Sequence, residues 1–132
     1  MKRTNLAPSS IFRSDVFGFS QGVLVEEGKK TLFISGQLAA DKKGNFLDSA
    51  NFNEQCAKAL EGIDAVLKEA GATRHNIMKI TAYVIDMQSN IQAFTEITKK
   101  YFGGDYPTST LIEVKGLAFP RQLVEIEALA MI

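Results

Sequence analysis

The last ten residues of the chain place the strongest constraint on its fold, because their side chains alternate in character. Every second residue is apolar, namely Val124, Ile126, Ala128, Ala130 and Ile132. The residues between them are mixed, namely Leu123, Glu125, Glu127, Leu129 and Met131. Since the side chains of a strand point alternately to its two faces, this pattern predicts a strand with one face in the core. A carboxylate on the other face needs a partner or a function, so we expect that face to form a cleft or a subunit contact.

Length and charge limit the possible classes of protein. A chain of 132 residues fits one domain, and we predict a single domain over residues 1–132. Fifteen basic and fifteen acidic residues give no net charge, which argues against a nucleic acid or an anionic membrane as partner. The single cysteine, Cys56, cannot form an internal disulfide, and no cationic start followed by an apolar run indicates a signal peptide. No apolar run approaches the ~20 residues of a membrane-spanning helix, so we expect a soluble, cytoplasmic protein.

The N-terminal part of the sequence predicts a β-hairpin after an irregular segment. Residues 1–15 follow no regular pattern, and we expect them to be an irregular lead-in. Residues 17–27 predict a strand that its glycines weaken, and residues 31–35 predict a second strand. Residues 27–30 supply the turn, so the two strands should pair with each other.

The clearest prediction is a helix between residues 52 and 70. Apolar residues recur there at three- and four-residue steps and form one stripe, namely Phe52, Cys56, Leu60, Ile63, Val66 or Leu67, and Ala70. Asn51 followed by Glu54 predicts a capping box at the helix start, and Gly71 predicts its end. Residues 77–85 are nearly all apolar and predict a central strand buried on both faces.

A second helix and two final strands complete the predicted order. The helix begins at Ser89 and ends at Gly103, and four of its side chains should face inward, namely Ile91, Phe94, Ile97 and Tyr101. Residues 108–114 predict a strand with three side chains on one face, namely Ser109, Leu111 and Glu113. A turn around Pro120 then leads into the final strand. The order is therefore ββαβαββ, an α/β (α+β) fold in which two helices pack on one face of a mixed sheet.

Few residues of this sequence offer catalytic or metal-binding chemistry. One histidine, His75, and one cysteine, Cys56, give neither a metal-ligand spacing nor a Ser/His/Asp or Cys/His set within one chain. Phosphate-loop and other cofactor motifs are absent, so we expect no metal and no cofactor. Glu125 and Glu127 are the candidates for general acid–base chemistry, because a partly buried carboxyl group can exchange protons near neutral pH. A salt bridge or hydrogen bond across a subunit interface explains this pair equally well.

Five short segments occur in order between about residue 16 and the end of the chain. They are Phe19-Ser20-Gln21-Gly22, Ile34-Ser35-Gly36-Gln37, Val84-Ile85-Asp86-Met87, Tyr106-Pro107-Thr108 and Val124-Glu125-Ile126-Glu127-Ala128. As a set they resemble the Rid family of reactive-intermediate imine deaminases, whose members are also described as YjgF, RidA-like or endoribonuclease L-PSP proteins. The resemblance implies a chorismate-mutase-like fold and a homotrimer with clefts at the subunit boundaries. The mixed face of the last strand would then line the interface and the cleft.

The resemblance also implies a reaction and a set of site residues. Archetypal members of the family hydrolyse enamines and imines such as 2-aminoacrylate to keto acids and ammonia. Glu125 matches the family's glutamate that positions the attacking water. The implied substrate-binding residues are Phe19, Ser35, Gly36, Ile91, Ser109 and Leu111. In the family an arginine that clamps the substrate carboxylate stands at the position of Ser109, and this chain has no arginine there.

The missing arginine changes the function that we expect. A charge-assisted contact between arginine and a carboxylate contributes about 1.5–3 kcal/mol, and serine cannot supply its charge. Phe19 and Leu111 also replace a frequent tyrosine and a frequent cysteine, which makes the cleft less polar. We therefore predict a protein that binds a small, mostly uncharged or weakly charged metabolite in a cleft between subunits, with weak or no 2-aminoacrylate deaminase activity. The alternative is an enamine or imine deaminase, or a related hydrolase, that acts on a different small carbonyl or imine compound with Glu125 and water. The neutral net charge disfavours action on RNA.

Overall fold

The computed structural model describes residues 1–132 of the chain. It contains six β-strands and two α-helices, together with two short 3₁₀ helices, Asp15–Phe17 and Arg74–Asn76. In chain order the main elements are β1 (Lys2–Leu6), β2 (Gly22–Glu26), β3 (Thr31–Gln37), α1 (Phe52–Glu69), β4 (Ile77–Val84), α2 (Met87–Phe102), β5 (Thr108–Glu113) and β6 (Val124–Met131). Neither α-helix combines the length and the apolar character that crossing a membrane requires.

A four-stranded mixed sheet is the centre of the fold. Its strand order is β3-β6-β4-β5, and β6 runs antiparallel to both of its neighbours, β3 and β4. β4 and β5 are parallel, as two strands joined by a crossover helix such as α2 should be. β5 and β6 follow each other in sequence, but β4 lies between them in the sheet. The predicted mixed sheet with two helices is confirmed.

Strand β6 has the alternation that its sequence predicts. Its even-numbered residues are buried, whereas its odd-numbered residues are half-buried. The buried face belongs to the same core cluster as the apolar stripe of α1, in which Cys56 and Ile63 are fully buried. Helix α1 starts where Asn51 Oδ1 accepts a hydrogen bond from the Glu54 backbone N–H (2.9 Å), and Gly71 follows its end at a φ of 70°. Both predicted boundaries of α1 are thus confirmed within two residues.

The N-terminal part of the structure differs from the prediction. Residues 2–6 were expected to be irregular but form β1, which pairs antiparallel with β2. The predicted hairpin of residues 17–27 with 31–35 is wrong, because β2 pairs with β1 and β3 pairs with β6. The turn residues Lys29 and Lys30 donate their backbone N–H groups to the Ile132 carbonyl (2.8 and 3.0 Å), so the chain end takes the bonds that a hairpin turn would use. The predicted strand also starts late, at Gly22, because Phe17 ends a 3₁₀ helix and Gly18, at a φ of 81°, turns the chain after it.

The ribbon formed by β1 and β2 is attached to the rest of the molecule through side chains. The Arg3 side chain is only 2% exposed, and its guanidinium donates to the His75 carbonyl (2.7 Å) and to the Asp105 carboxylate (3.3 Å). Burial lowers the pKa of Arg3, and the charge of Asp105 opposes that shift. Just before β2, Ser20 donates its backbone N–H to the Pro107 carbonyl (2.8 Å). The ribbon therefore contacts the loop that precedes β5.

Helix α2 begins two residues earlier than predicted. Its first residue is Met87, whose backbone N–H donates to Glu113 Oε1 (3.0 Å). A side chain from β5 therefore satisfies the helix N-terminus, and the predicted start at Ser89 is wrong. The predicted end is confirmed, since Gly103 has a φ of 63° and caps the helix. Ile91 was expected to face the core, but it is 42% exposed because it borders a surface pocket.

Candidate functional site

A β-bulge in β3 brings Gly36 against Glu125. Ile34 pairs with Ala128 and Gln37 pairs with Ile126, so a step of three residues on β3 matches a step of two on β6. A β-carbon at position 36 would overlap Oε1 of Glu125 and would lie 2.8 Å from its Cδ. Gly36 does not have a positive φ, so space alone, and not backbone conformation, requires glycine at this position.

The Glu125 carboxylate has one side-chain hydrogen-bond partner, which is Gln122. Gln122 Nε2 donates to Glu125 Oε2 (3.2 Å) and to the Val124 carbonyl (3.3 Å). The Gln122 side chain is buried, and its Oε1 has no hydrogen-bond partner in the chain. Glu125 itself is half-buried and forms no salt bridge, unlike Glu26 and Glu61 elsewhere in the chain. Its carboxylate is thus fixed by Gly36 and Gln122 without a neutralising cation.

A groove of about 300 Å³ crosses the face of the sheet that the helices leave uncovered. Among its lining residues are Phe33, Ser35, Lys79, Thr81, Glu127 and Leu129. The Tyr83 hydroxyl donates to Glu127 Oε1 (3.2 Å) on the same face. This hydrogen bond raises the pKa of Tyr83, and burial and the charges of Glu127 and Glu125 act in the same direction. Tyr83 therefore keeps its proton at neutral pH and can donate a hydrogen bond.

A second pocket, of about 350 Å³, lies between α2, β5 and the segment before β2. We call it the aromatic pocket, and it is lined by Phe12, Phe17, Gly18, Phe19, Ile91, Phe94, Thr95, Thr98, Ser109 and Leu111. None of these side chains is charged, and the polar ones carry only hydroxyl groups. One of those hydroxyls, that of Thr98, already donates to the Phe94 carbonyl (3.0 Å) within α2. The pocket therefore suits an apolar ligand with few polar groups.

A tight turn shapes the aromatic wall of this pocket. The 3₁₀ helix Asp15–Phe17 ends at Gly18, which has a φ of 81°, a value that glycine adopts without strain. The aliphatic stem of Lys99 on α2 lies against Gly18 and would collide with a β-carbon there. Phe12 then contacts Phe17 and Phe19 edge to face, with both pairs of ring centroids 6.2 Å apart. The turn thus points three aromatic rings toward α2.

The structure divides the predicted site residues into two groups. Four of them line the aromatic pocket, namely Phe19, Ile91, Ser109 and Leu111. The other three lie at the bulge, namely Ser35, Gly36 and Glu125. Ser109 pairs with Ile80 of β4 and Glu125 pairs with Tyr83, three residues further on, so the two side chains point to opposite faces of the sheet. Within one chain, Ser109 and Glu125 therefore do not form a common site.

Other residues that surround these two groups were not predicted as site residues, among them Gln122, Phe12 and Phe17. Gln122 stands in the turn before β6, where no motif marks it, and only the folded turn brings it to Glu125. Phe12 and Phe17 lie in or beside the segment that was expected to be irregular. The sequence did contain one indication of an aromatic site, because three phenylalanines occur within residues 12–19.

The other chemically reactive side chains lie apart from both groups. Cys56 is buried in α1, and burial raises the pKa of its thiol to about 12, so the thiol is not a nucleophile at neutral pH. The His75 ring contacts the Asp105 carboxylate beside Arg3. No three His, Cys, Asp or Glu side chains come close enough together to hold a metal ion.

The fold is shared with solved structures of one family. The conserved Rid-family protein YyfB of Yersinia pestis matches the whole chain over its own full length, with a TM-score of 0.91 and 30% sequence identity. RidA of an Antarctic Psychrobacter species matches 86% of this chain with 88% of its own, with a TM-score of 0.71 and 27% identity. The predicted chorismate-mutase-like α+β fold is thereby confirmed.

Sequence relatives belong to the same group of proteins. A RutC family protein of Saccharolobus solfataricus is 35% identical over 113 residues, which are 85% of each chain. Human 2-iminobutanoate/2-iminopropanoate deaminase is 33% identical over 113 residues, which are 86% of this chain and 79% of that protein. The sequence model of the family described as Endoribonuclease L-PSP matches residues 14–132. Because this match spans nearly the whole sequence and agrees with the fold, the chain belongs to the Rid family, also called YjgF or endoribonuclease L-PSP.

Proposed function

We propose that this protein binds a small, uncharged metabolite in a cleft between the subunits of a homotrimer, and that its 2-aminoacrylate deaminase activity is weak or absent. The observation that carries the proposal is the lining of the aromatic pocket, which has Ser109 at the clamp position and no cation. A ligand with a carboxylate loses hydration when it binds, so it needs a cationic hydrogen-bond donor in the pocket. An apolar ligand needs no such partner. The lone, buried Cys56 also favours a cytoplasmic location.

The missing charge is large enough to decide which ligands bind. A hydrogen-bonded contact to a charged group contributes about 1.5–3 kcal/mol, which corresponds to roughly a ten- to hundredfold change in affinity. Neutral ligands lose nothing when the cation is absent, because their affinity comes from apolar contact with the aromatic wall. We therefore place this protein in a branch of the family that lacks the arginine clamp.

The separation of the site residues supports a cleft between chains. Ser109 and Glu125 face opposite sides of the sheet, so one ligand can contact both only if they belong to different copies. Phe33 is 77% exposed on the uncovered face, and such a large apolar side chain is typical of a subunit contact. A closed ring of three copies would then give three equivalent clefts.

Binding of a matched pair of ligands tests the first proposal. Methyl 2-oxobutanoate and 2-oxobutanoate share a carbon skeleton, but only the second carries a carboxylate. We expect the ester to bind more tightly in a calorimetric titration and to perturb the NMR signals of Phe19 and Leu111. Tighter binding of the carboxylate would refute the proposal, and a Phe19→Ser variant should weaken binding of the ester.

The surroundings of Glu125 favour a second candidate function, the hydrolysis of a small imine or enamine that lacks a carboxylate. Glu125 is half-buried, unpaired with any cation and fixed by Gly36 and Gln122. In such a reaction Glu125 accepts a proton from water while the water oxygen bonds to the imine carbon. Glu125 passes this proton to the nitrogen. The second proton then moves from the new hydroxyl group to the nitrogen as the C–N bond breaks, which releases ammonia or an amine and leaves a carbonyl compound. The human relative is named for deamination of 2-iminobutanoate and 2-iminopropanoate.

Product release from freshly generated imines tests the second candidate. Imines from several amino acids and neutral imines of small amines are each mixed with the protein, and ammonia, amine or carbonyl release is followed. We expect faster hydrolysis of the neutral imines and loss of this activity in Glu125→Gln. If wild type and Glu125→Gln are equally slow with every imine, the hydrolytic candidate is wrong, whereas the proposal of metabolite binding is unaffected.

A further inference from the structure

We propose that Gln122 is a positioning residue for Glu125, because its carboxamide holds the carboxylate in the orientation that hydrolysis requires. This inference rests on the hydrolytic candidate function above. Gln122 lies in the turn before β6, three residues from Glu125, and its side chain is only 2% exposed. It is the one side chain that donates a hydrogen bond to Glu125.

The orientation of the Gln122 carboxamide is determined by its neighbours. Its Nε2 lies 3.3 Å from the Val124 carbonyl oxygen and 3.2 Å from Glu125 Oε2, and both of these atoms are acceptors. An amide oxygen in that place would face two acceptors, so the NH₂ group must point toward them. The Oε1 atom of Gln122 consequently points away, and it is buried without a partner.

Gln55 provides a comparison within the same molecule, because its carboxamide is equally buried at 1% exposure. Gln55 Nε2 donates to the Ala50 and Arg121 carbonyls (3.0 and 3.1 Å), and its Oε1 accepts from the Leu123 backbone N–H (2.8 Å). Both the NH₂ group and the oxygen of the Gln55 carboxamide therefore have hydrogen bonds to the backbone, and these bonds stabilise the turn before β6. In Gln122, by contrast, only the NH₂ group has partners, and Oε1 has none. A buried acceptor without a hydrogen bond lowers the stability of the folded state. The chain thus keeps a carboxamide at position 122 that stability alone does not favour.

The hydrogen bond from Gln122 assigns different roles to the two carboxylate oxygens of Glu125. Oε2 accepts from Gln122, whereas Oε1 lies over Gly36 in the space that any other residue would fill with its β-carbon. With Oε2 engaged, the carboxylate cannot rotate freely, and Oε1 is the oxygen that remains to accept the proton of the attacking water. A fixed orientation of this kind accelerates a reaction because the reacting groups need no further alignment.

Two matched substitutions separate positioning from structure. Gln122→Met keeps the shape of the side chain but removes its donor together with the unpaired acceptor, and Gln55→Met does the same to a satisfied carboxamide. For the best neutral imine, we expect Gln122→Met to lower kcat about ten- to a hundredfold, with KM within about twofold of wild type. Its Tm should stay close to that of wild type. Gln55→Met should show the reverse, a lower Tm with nearly normal kcat per folded molecule.

An NMR measurement tests the same contact without a change at position 122. The side-chain amide proton signals of Gln122 should move upfield in Glu125→Ala, because a hydrogen bond to a carboxylate is lost, while those of Gln55 should not move. An unchanged Gln122 signal, or normal kcat in Gln122→Met, would overturn the positioning role. A wild type that hydrolyses no imine would instead refute the hydrolytic candidate, and with it any catalytic purpose of the pair. Loss of kcat in Glu125→Gln but not in Gln122→Met refutes only the role of Gln122.

Discussion

The carboxylate of Glu125 occupies the space in which residue 36 would otherwise carry its β-carbon, so Gly36 and Glu125 depend on each other. The β-bulge in β3 creates this contact, since it shifts the register against β6 by one residue between Ile34 and Gln37. A residue without a side chain is thereby placed directly against the acidic group of the neighbouring strand. Position 36 is consequently a sensitive test of whether the geometry of Glu125 matters.

We predict that Gly36→Ala abolishes the proposed imine hydrolysis without unfolding the chain. The added methyl group meets the Glu125 side chain as far in as its Cγ, so the carboxylate has to move away from Gln122, and loss of that hydrogen bond should lower the free energy of unfolding by about 1.5–3 kcal/mol. Urea unfolding and product release measure the two effects. Gly116→Ala is the matched control, because a β-carbon there meets nothing within 4 Å and no positive φ opposes it. A Gly36→Ala protein as active as the control would contradict the prediction.

We predict that Ser109→Arg supplies the missing clamp. The new guanidinium would enter the aromatic pocket and should tighten the binding of 2-oxobutanoate by about tenfold or more, while leaving that of methyl 2-oxobutanoate nearly unchanged. Leu111 shares the pocket and can obstruct the longer side chain, so the double change Ser109→Arg with Leu111→Cys should show the larger gain. Ser109→Gln is the control for length without charge, and an equal gain in that variant would show that charge is not the cause.

We predict that Phe33→Lys disrupts the proposed trimer without unfolding the chain. Phe33 is 77% exposed in the single chain and pairs with Leu129 on the uncovered face of the sheet, so its loss removes little from the core. A lysine buried in a subunit contact would cost several kcal/mol. Light scattering at micromolar concentration should give a trimer mass for wild type and a smaller mass for Phe33→Lys. Leu24→Lys, at a position of β2 that is 49% exposed, should remain a trimer. A monomeric wild type would refute the trimer itself.

We predict that Asp64 contributes stability that depends on pH. Burial favours the protonated acid, but hydrogen bonds from Arg74 (2.9 and 2.6 Å) and from the Tyr101 hydroxyl (2.7 Å), with the charge of Arg74, outweigh it and lower the pKa of Asp64. A lowered pKa in the folded state stabilises the protein above the unfolded pKa of about 3.9, and this contribution disappears as the pH falls through the folded value.

Urea unfolding at different pH values measures the contribution of Asp64. Asp64→Asn should be clearly less stable than wild type at pH 7, and the difference should shrink well below pH 4. Asp48→Asn is the control. Both side chains of the ion pair between Asp48 and Arg121 are exposed to solvent, so this pair should contribute little to the free energy of unfolding at any pH. A difference between wild type and Asp64→Asn that is the same at pH 7 and pH 3 would contradict the assigned role.

The sequence predicts the elements whose patterns are local and regular. The alternation in β6 and the apolar stripe of α1 both follow from burial on one side, and the structure confirms them. Strand β1 could not be recognised, because four of its five residues are exposed and its sequence therefore carries no burial pattern. The predicted hairpin failed for a related reason, since the bonds of Lys29 and Lys30 go to a carbonyl more than a hundred residues away.

The candidate site was only partly predictable for the same physical reason. Resemblance to the family identified residues on both faces of the sheet, but only strand register shows that Ser109 and Glu125 face opposite sides. Gln122 and Phe12 enter the site through turns, whose side-chain directions depend on contacts with the rest of the fold. A sequence pattern with period two cannot report such directions.

The attachment of the β1–β2 ribbon has a consequence for how the molecule opens. No ladder of backbone hydrogen bonds joins the ribbon to the four-stranded sheet, and it is connected instead by Arg3 and by the contact of Ser20 with Pro107. The ribbon can therefore detach as a separate cooperative unit while the sheet stays intact. In hydrogen exchange, the amides of residues 2–6 and 22–26 should then lose their protection together, and well before those of β4 and β6.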